Sequence, residues 1–150
     1  MSIYEMIKDM PVFKTFSESE IKQFAEMDHS IIEYKQGEIL TKEGESSTAL
    51  YLIVNGSVLV TKTRDNAKIR IAKLGPGEIF GEMSFFSKKA RNSDITANED
   101  VIVIRMDDDF FQKINPVIKD KTKNYFIELL INRLDTMNDS IMKISKLMRM

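Results

Sequence analysis

Cysteine is absent from this 150-residue chain, and histidine occurs once, at position 29. Without a thiol there is no disulfide, no thiolate zinc site and no cysteine-held iron–sulfur cluster. With one imidazole there is no pair of histidines to grip a metal, so no metal site is expected. The lone histidine carries no catalytic motif, a Cys–His set is impossible, and no carboxylate pair stands at catalytic spacing. The expectation is therefore no catalytic residues and no enzyme. A haem on His29 is the one histidine-based alternative, against the simpler reading of His29 as a polar residue ending the helix before it. No run of 18 apolar residues occurs, and the N-terminus lacks a charged-then-apolar signal pattern. The chain thus reads as soluble and cytoplasmic, with no membrane partner. The net charge is −1, so no basic field exists to hold nucleic acid by this chain alone.

What is present fits one domain, residues 1–150, with room for a core and one enclosed pocket. Residues 1–30 read as a helical prelude. Ile3, Met6 and Ile7 form a short apolar stripe that stops before Pro11. Ser17 and Glu20 form a capping box, and Ile21, Phe24 and Ala25 mark the buried face that follows. Val12, Phe13 and Phe16 are expected to pack these helices against the rest. Residues 31–106 change to short strands and turns. Ile31, Ile32 and Tyr34 suggest one strand, and Ile39 and Leu40 begin another, with turns at Gly37 and Gly44. Ala49 to Val54 is an unbroken apolar run, expected to be buried on both faces. Asn55-Gly56 reads as a hairpin turn, and Asp65-Asn66 as a second turn. Ile69 and Ile71 alternate with Lys68, Arg70 and Lys73, which predicts one face in and one out. Gly75-Pro76-Gly77 breaks that strand, and Val101 to Ile104 is the last. Many short strands at near-regular spacing predict a mainly β sandwich, jelly roll or barrel.

From residue 107 to 150 the chain returns to helix. Asp107, Asp108 and Asp109 place negative charge at a helix start. Asn115 then caps a helix with Pro116 at its first position, and no further breaker precedes Met150. That allows about 34 helical residues over 116–150, roughly 50 Å. Ile127, Leu130, Leu134, Met137, Ile141, Ile144 and Met148 follow spacings of 3, 4, 3, 4, 3 and 4, a coiled-coil seam that predicts a homodimer through residues 127–148. An amphipathic helix lying on its own domain is the alternative. Phe126, Leu129 and Ile131 widen the stripe at its start.

The segment with chemistry runs from Phe80 to Ala97. Gly81 allows close backbone approach to a ligand, and the residues after it can form one helical turn with outward N–H groups. Glu82 is a carboxylate in an apolar stretch and needs a partner, for which a sugar hydroxyl would serve. Arg91 can turn back onto the same helical turn as a phosphate receptor. Taken singly, Gly81 as only a turn glycine and Glu82 paired with Arg91 at the surface are the simpler readings, and they take precedence over a ligand site.

Phe80-Gly81-Glu82-Met83-Ser84, with Arg91 followed by a small polar pair, resembles the phosphate-binding cassette of cyclic-nucleotide-binding domains. The resemblance extends to the helical prelude, Gly37, Gly44, the Leu50–Gly56 run, the Gly75-Pro76-Gly77 turn and the Asn115-Pro116 helix. It matches the catabolite activator branch especially well. It implies an eight-stranded β-roll flanked by N-terminal helices and a long C-terminal helix. It also implies a bound cyclic nucleotide, with no other cofactor. By the same resemblance Glu82 accepts the ribose 2′-hydroxyl, Gly81 and Ser84 donate near sugar and phosphate, and Arg91 pairs with the cyclic phosphate. Asn92 and Ser93 stand where the family has Ser or Thr and then Ala. Val60, Ile71 and Met83 align with residues packed on the base, and Thr136, Met137 and Asn138 fall near the base. Asn92 is not the guanine-reading Thr, which favours cAMP over cGMP. The implied role is a signalling sensor that transmits ligand binding through the dimerising helix. The alternatives are a nucleotide-free dimeric interaction module, or the sensor fragment of a transcription regulator.

Overall fold

Eight strands form two four-stranded antiparallel sheets. The computed structural model describes residues 1–149, which divide into two compact units, Met1–Ile114 and a second beginning at Asn115. In the first unit one sheet runs in the order β1 (Ile31–Tyr34), β8 (Val101–Met106), β3 (Leu50–Asn55) and β6 (Ile79–Phe80). The other runs β2 (Ile39–Thr41), β7 (Asp94–Ala97), β4 (Val58–Arg64) and β5 (Ala67–Leu74). Among the described residues only β4 and β5 are neighbours both along the chain and within a sheet. Their turn is Asp65-Asn66, with φ of 53° and 65°, the double positive φ whose twist suits a two-residue hairpin.

Asn55-Gly56 is not a hairpin turn, contrary to the sequence expectation. Strands β3 and β4 stand in different sheets, and this dipeptide carries the chain from one to the other. Gly56 is required by its φ of +84° and because a Cβ there would overlap the carbonyl oxygen of Asp100. The Asn-Gly signal reported a local backbone need and not the identity of the partner strand.

Residues from both sheets fill the space between them: Leu40, Val58, Ile95 and Ala97 from one side, Tyr51, Ile53, Phe80, Val101 and Val103 from the other. Strand β3 is buried on both faces as its apolar run predicts, with Leu50, Leu52 and Ile53 almost wholly covered. Strand β5 departs from expectation. Ile69 and Ile71 are 46% and 54% exposed, and no residue of β5 is buried. It is the edge strand of its sheet. Its register also slips at Val60/Thr61, where Ala72 and Arg70 are the paired residues and Ile71 is left over. Such a bulge re-aims side chains that simple alternation would place.

The prelude comprises α1 (Ile3–Ile7) and α2 (Glu18–Ala25). The capping box is formed: Ser17 N donates to Glu20 Oε1 at 2.8 Å and Glu20 N donates to Ser17 Oγ at 3.2 Å. Phe13, Phe16 and Phe24 meet edge to face, and Phe24 meets Phe110 in the same way. Burying each such ring contributes about 1.5–3 kcal/mol. Phe110 belongs to α4 (Asp108–Lys113), capped by Asp107 Oδ1, which accepts from Phe110 N at 2.9 Å. His29 does not end α2, which closes at Ala25; it lies exposed in a separate 3₁₀ turn, Asp28–Ser30.

The second unit is α5 (Pro116–Met148), 33 residues long. Asn115 Oδ1 accepts from Val117 N at 2.8 Å, and Pro116 occupies the first turn. Along the expected seam Ile127, Leu134, Met137, Ile141, Ile144 and Met148 are exposed, and Leu130 is half-buried. Phe126 is buried, Leu129 half-buried and Ile131 exposed. Met150, which the sequence places in this helix, lies outside the described residues. Among the described residues no helix is long and apolar enough to cross a membrane.

Candidate functional site

Strand β6 delivers Gly81, whose φ of +88° turns the chain into α3 (Glu82–Ser87), about 1.7 turns of helix. A second left-handed residue, Lys88 with φ 60°, ends α3. The chain then passes through Arg91 into β7. Glu82, Ser84, Arg91 and Ser93 are all buried, with exposures of 9%, 4%, 5% and 9%. Two opposite charges and two hydroxyls are therefore held inside one short segment. The reading of Glu82 and Arg91 as a surface pair is excluded.

Arg91 is fixed at both its backbone and its side chain. Its N–H donates to Glu45 O and its carbonyl accepts from Gly44 N, both at 2.8 Å. This pins it to the loop between β2 and β3, and Glu43 N adds a bond to Asp94 Oδ1 at 2.7 Å. The guanidinium donates from Nη2 to Ala49 O at 2.7 Å, from Nη1 to Gly81 O at 3.2 Å and from Nε to Ser47 Oγ at 3.3 Å. These are neutral acceptors, and three of the five N–H donors of a guanidinium are engaged by them. The cation also sits 5.9 Å from the centroid of the Tyr51 ring, within cation–π range. Tyr51 in turn stacks on Phe80 at 4.8 Å and 7°. Burial pushes the Arg91 pKa below its ordinary value, Tyr51 and Glu45 oppose that shift, and Arg105 adds to it. Proteins do not deprotonate arginine, so the result is a desolvated, oriented cation suited to a single anionic group.

The remaining residues singled out in the sequence are placed as follows. Met83 on α3 is 56% exposed. Asn92 is exposed, and its Oδ1 accepts from Ser93 Oγ at 3.3 Å. Val60 is partly buried and packs against the inter-sheet core, while Ile71 is the exposed extra residue of the β5 bulge. Thr136, Met137 and Asn138 are exposed residues of α5, in the other unit, and Thr136 Oγ1 donates to Asn132 O at 3.0 Å. The structure thus unites Gly81 with Arg91 directly and buries Glu82, Ser84 and Ser93 in the same segment. Sequence reasoning missed Ser47, Ala49 and Tyr51. Only the polar Ser46-Ser47-Thr48 run hinted at one of them.

The fold thus carries an oriented arginine and a buried carboxylate within one short segment. The chain belongs to the family described as the cyclic nucleotide-binding domain, which matches residues 31–115. It is 36% identical over 74 residues to the cyclic AMP receptor protein of Thermus thermophilus, covering 49% of this chain and 34% of that protein. It is 29% identical over 98 residues to the cAMP-dependent protein kinase type II regulatory subunit of Drosophila melanogaster, covering 65% and 26% respectively. The chain thus spans about a quarter to a third of these curated relatives. Among solved structures it resembles the Thermus thermophilus catabolite activator protein with a TM-score of 0.74 and 25% identity, over 90% of this chain and 63% of that one.

Proposed function

We propose that this protein binds a cyclic nucleotide, cAMP in preference to cGMP, and acts as a regulatory sensor and not as a catalyst. The observation that carries this reading is the Arg91 guanidinium. It is 5% exposed and held by the oxygens of Ser47, Ala49 and Gly81, with Glu82 buried in the same segment. An oriented buried cation matches the single charge of a cyclic phosphate, and a buried carboxylate suits a ribose hydroxyl. Two relatives carry cAMP in their names, which supports the same ligand here. Asn92 in place of a hydroxyl residue leaves an amide donor for the phosphate and no threonine for guanine. Val60, Ile71 and Met83 would line the base.

In this reading the bound state is transmitted through α5, whose exposed apolar seam pairs with a second copy. A ligand shifts such an equilibrium only through its preference for one arrangement. The test is a thermal-shift panel of cAMP, cGMP and linear AMP, since a ligand confined to the native state raises the midpoint. cAMP should raise it most and linear AMP least. Arg91→Ala should weaken cAMP binding by roughly 2–4 kcal/mol in calorimetry, the loss of a charge-assisted contact. No shift with either cyclic nucleotide, or unchanged affinity in Arg91→Ala, would overturn the reading.

A further inference from the structure

We propose that Tyr51 is the positioning residue for Arg91 and the link from the anion site to the start of α4. The proposal rests on the cyclic-nucleotide reading of Arg91 and goes beyond it. Tyr51 is 3% exposed and stands between two arginines, Arg91 at its ring and Arg105 at its hydroxyl. On one side its ring faces the Arg91 guanidinium at 5.9 Å, and it is itself held flat by Phe80, the residue before Gly81. On the other side its hydroxyl accepts from Arg105 Nε at 3.4 Å. Arg105 is its cross-strand partner in β8. Arg105 Nη1 meets Asp107 Oδ2 at 2.7 Å, and the other oxygen of Asp107 accepts from Phe110 N at 2.9 Å. One carboxylate therefore both neutralises Arg105 and caps α4.

The physical coupling is electrostatic. Arg91 faces the Tyr51 ring and Arg105 meets its hydroxyl, and the like charge of Arg105 is among the causes that lower the Arg91 pKa. Because a pairwise charge interaction is reciprocal, an anion on Arg91 would offset the like-charge repulsion between the two guanidiniums and favour Arg105 at its Tyr51–Asp107 seat. The Arg105–Asp107 pair then holds more firmly, and with it the cap on α4. A tighter cap shows as slower exchange of the amide it accepts from. Removing the Tyr51 hydroxyl leaves the ring, its stacking and its volume intact. It therefore separates the positioning of Arg91 from the transmission to α4.

The experiment measures cAMP affinity by calorimetry and amide exchange at Phe110 by NMR, on the full chain with and without saturating cAMP. In the native protein cAMP should slow exchange at Phe110 by about threefold or more. Tyr51→Phe and Asp107→Asn should both bind cAMP within about threefold of native, yet lose the slowing at Phe110. Asn still caps α4 but carries no charge for Arg105. Tyr51→Leu, which lacks the ring, should bind about tenfold or more weakly, and Tyr51→Phe should restore most of that loss. If Tyr51→Leu fails to fold, the other two variants decide. Binding without slowing in the native chain, slowing retained in Tyr51→Phe and Asp107→Asn, or native affinity in Tyr51→Leu overturns the proposal alone. A native chain that binds neither cAMP nor cGMP overturns it together with the function on which it rests.

Discussion

Arg91 owes its orientation to atoms that a sequence does not advertise. Two of its three side-chain acceptors are backbone carbonyls, of Ala49 and Gly81, and the third is one hydroxyl in a polar loop. Gly81 is tied to this arrangement twice over. Its φ is +88°, and a Cβ there would stand 2.7 Å from both Ala49 O and Arg91 Nη1. The arginine tip can move but the Ala49 carbonyl cannot, so a methyl group would wedge the cation off its seat. Gly81→Ala should therefore destabilise the fold by about 1–3 kcal/mol in urea denaturation, with at least a tenfold loss of cAMP affinity in calorimetry. Native stability and affinity in that variant would show that the seat is not as tight as drawn. Glu82 stood out as a carboxylate in an apolar stretch that needs a partner. Arg91, in a polar stretch, was legible only through the resemblance of the whole segment to the phosphate-binding cassette. Tyr51 was not, because within the run Ala49–Val54 it is indistinguishable from any core residue. Its role comes from neighbours on β6 and β8.

At the scale of elements, the signals that proved faithful are those satisfied within a few residues. The Ser17–Glu20 box and the Asn115 cap close where the sequence places them, because donor and acceptor belong to the same turn. Ser17→Ala should accordingly cost about 1 kcal/mol, visible as a lowered denaturation midpoint with an unchanged slope. A loss of no more than a few tenths would mean that the Phe13–Phe16–Phe24 packing holds α2 without its cap. Signals that depend on a distant partner misled. Asn55-Gly56 states a backbone conformation and is silent about which strand comes next to β3. The alternation of β5 is real, but its bulge at Ile71 and its edge position undo the in-and-out assignment. Ile69 and Ile71 are left accessible on a strand that the rest of the first unit does not cover.

For the molecule as a whole, the question is what covers α5. Its residues at 127, 134, 137, 141, 144 and 148 form an apolar line in solvent, at the 3–4 spacing that two helices need to interlock. We predict a parallel dimer through this line. Leu134→Asp combined with Ile141→Asp should give a monomeric mass in light scattering at tens of micromolar, while the native chain should give twice that mass. A monomeric native chain, with and without cAMP, would refute the pairing.

The sheet order also bears on how the molecule is made. β1 has one neighbour, β8, with Ile31 opposite Ile104. At a synthesis rate of about 5–20 residues per second, the first strand leaves the ribosome several seconds before its partner exists. During that interval Glu33, exposed on β1 with Lys35 just beyond it, puts charge on an otherwise sticky segment. This is the kind of guard that keeps a nascent strand from pairing with the wrong chain.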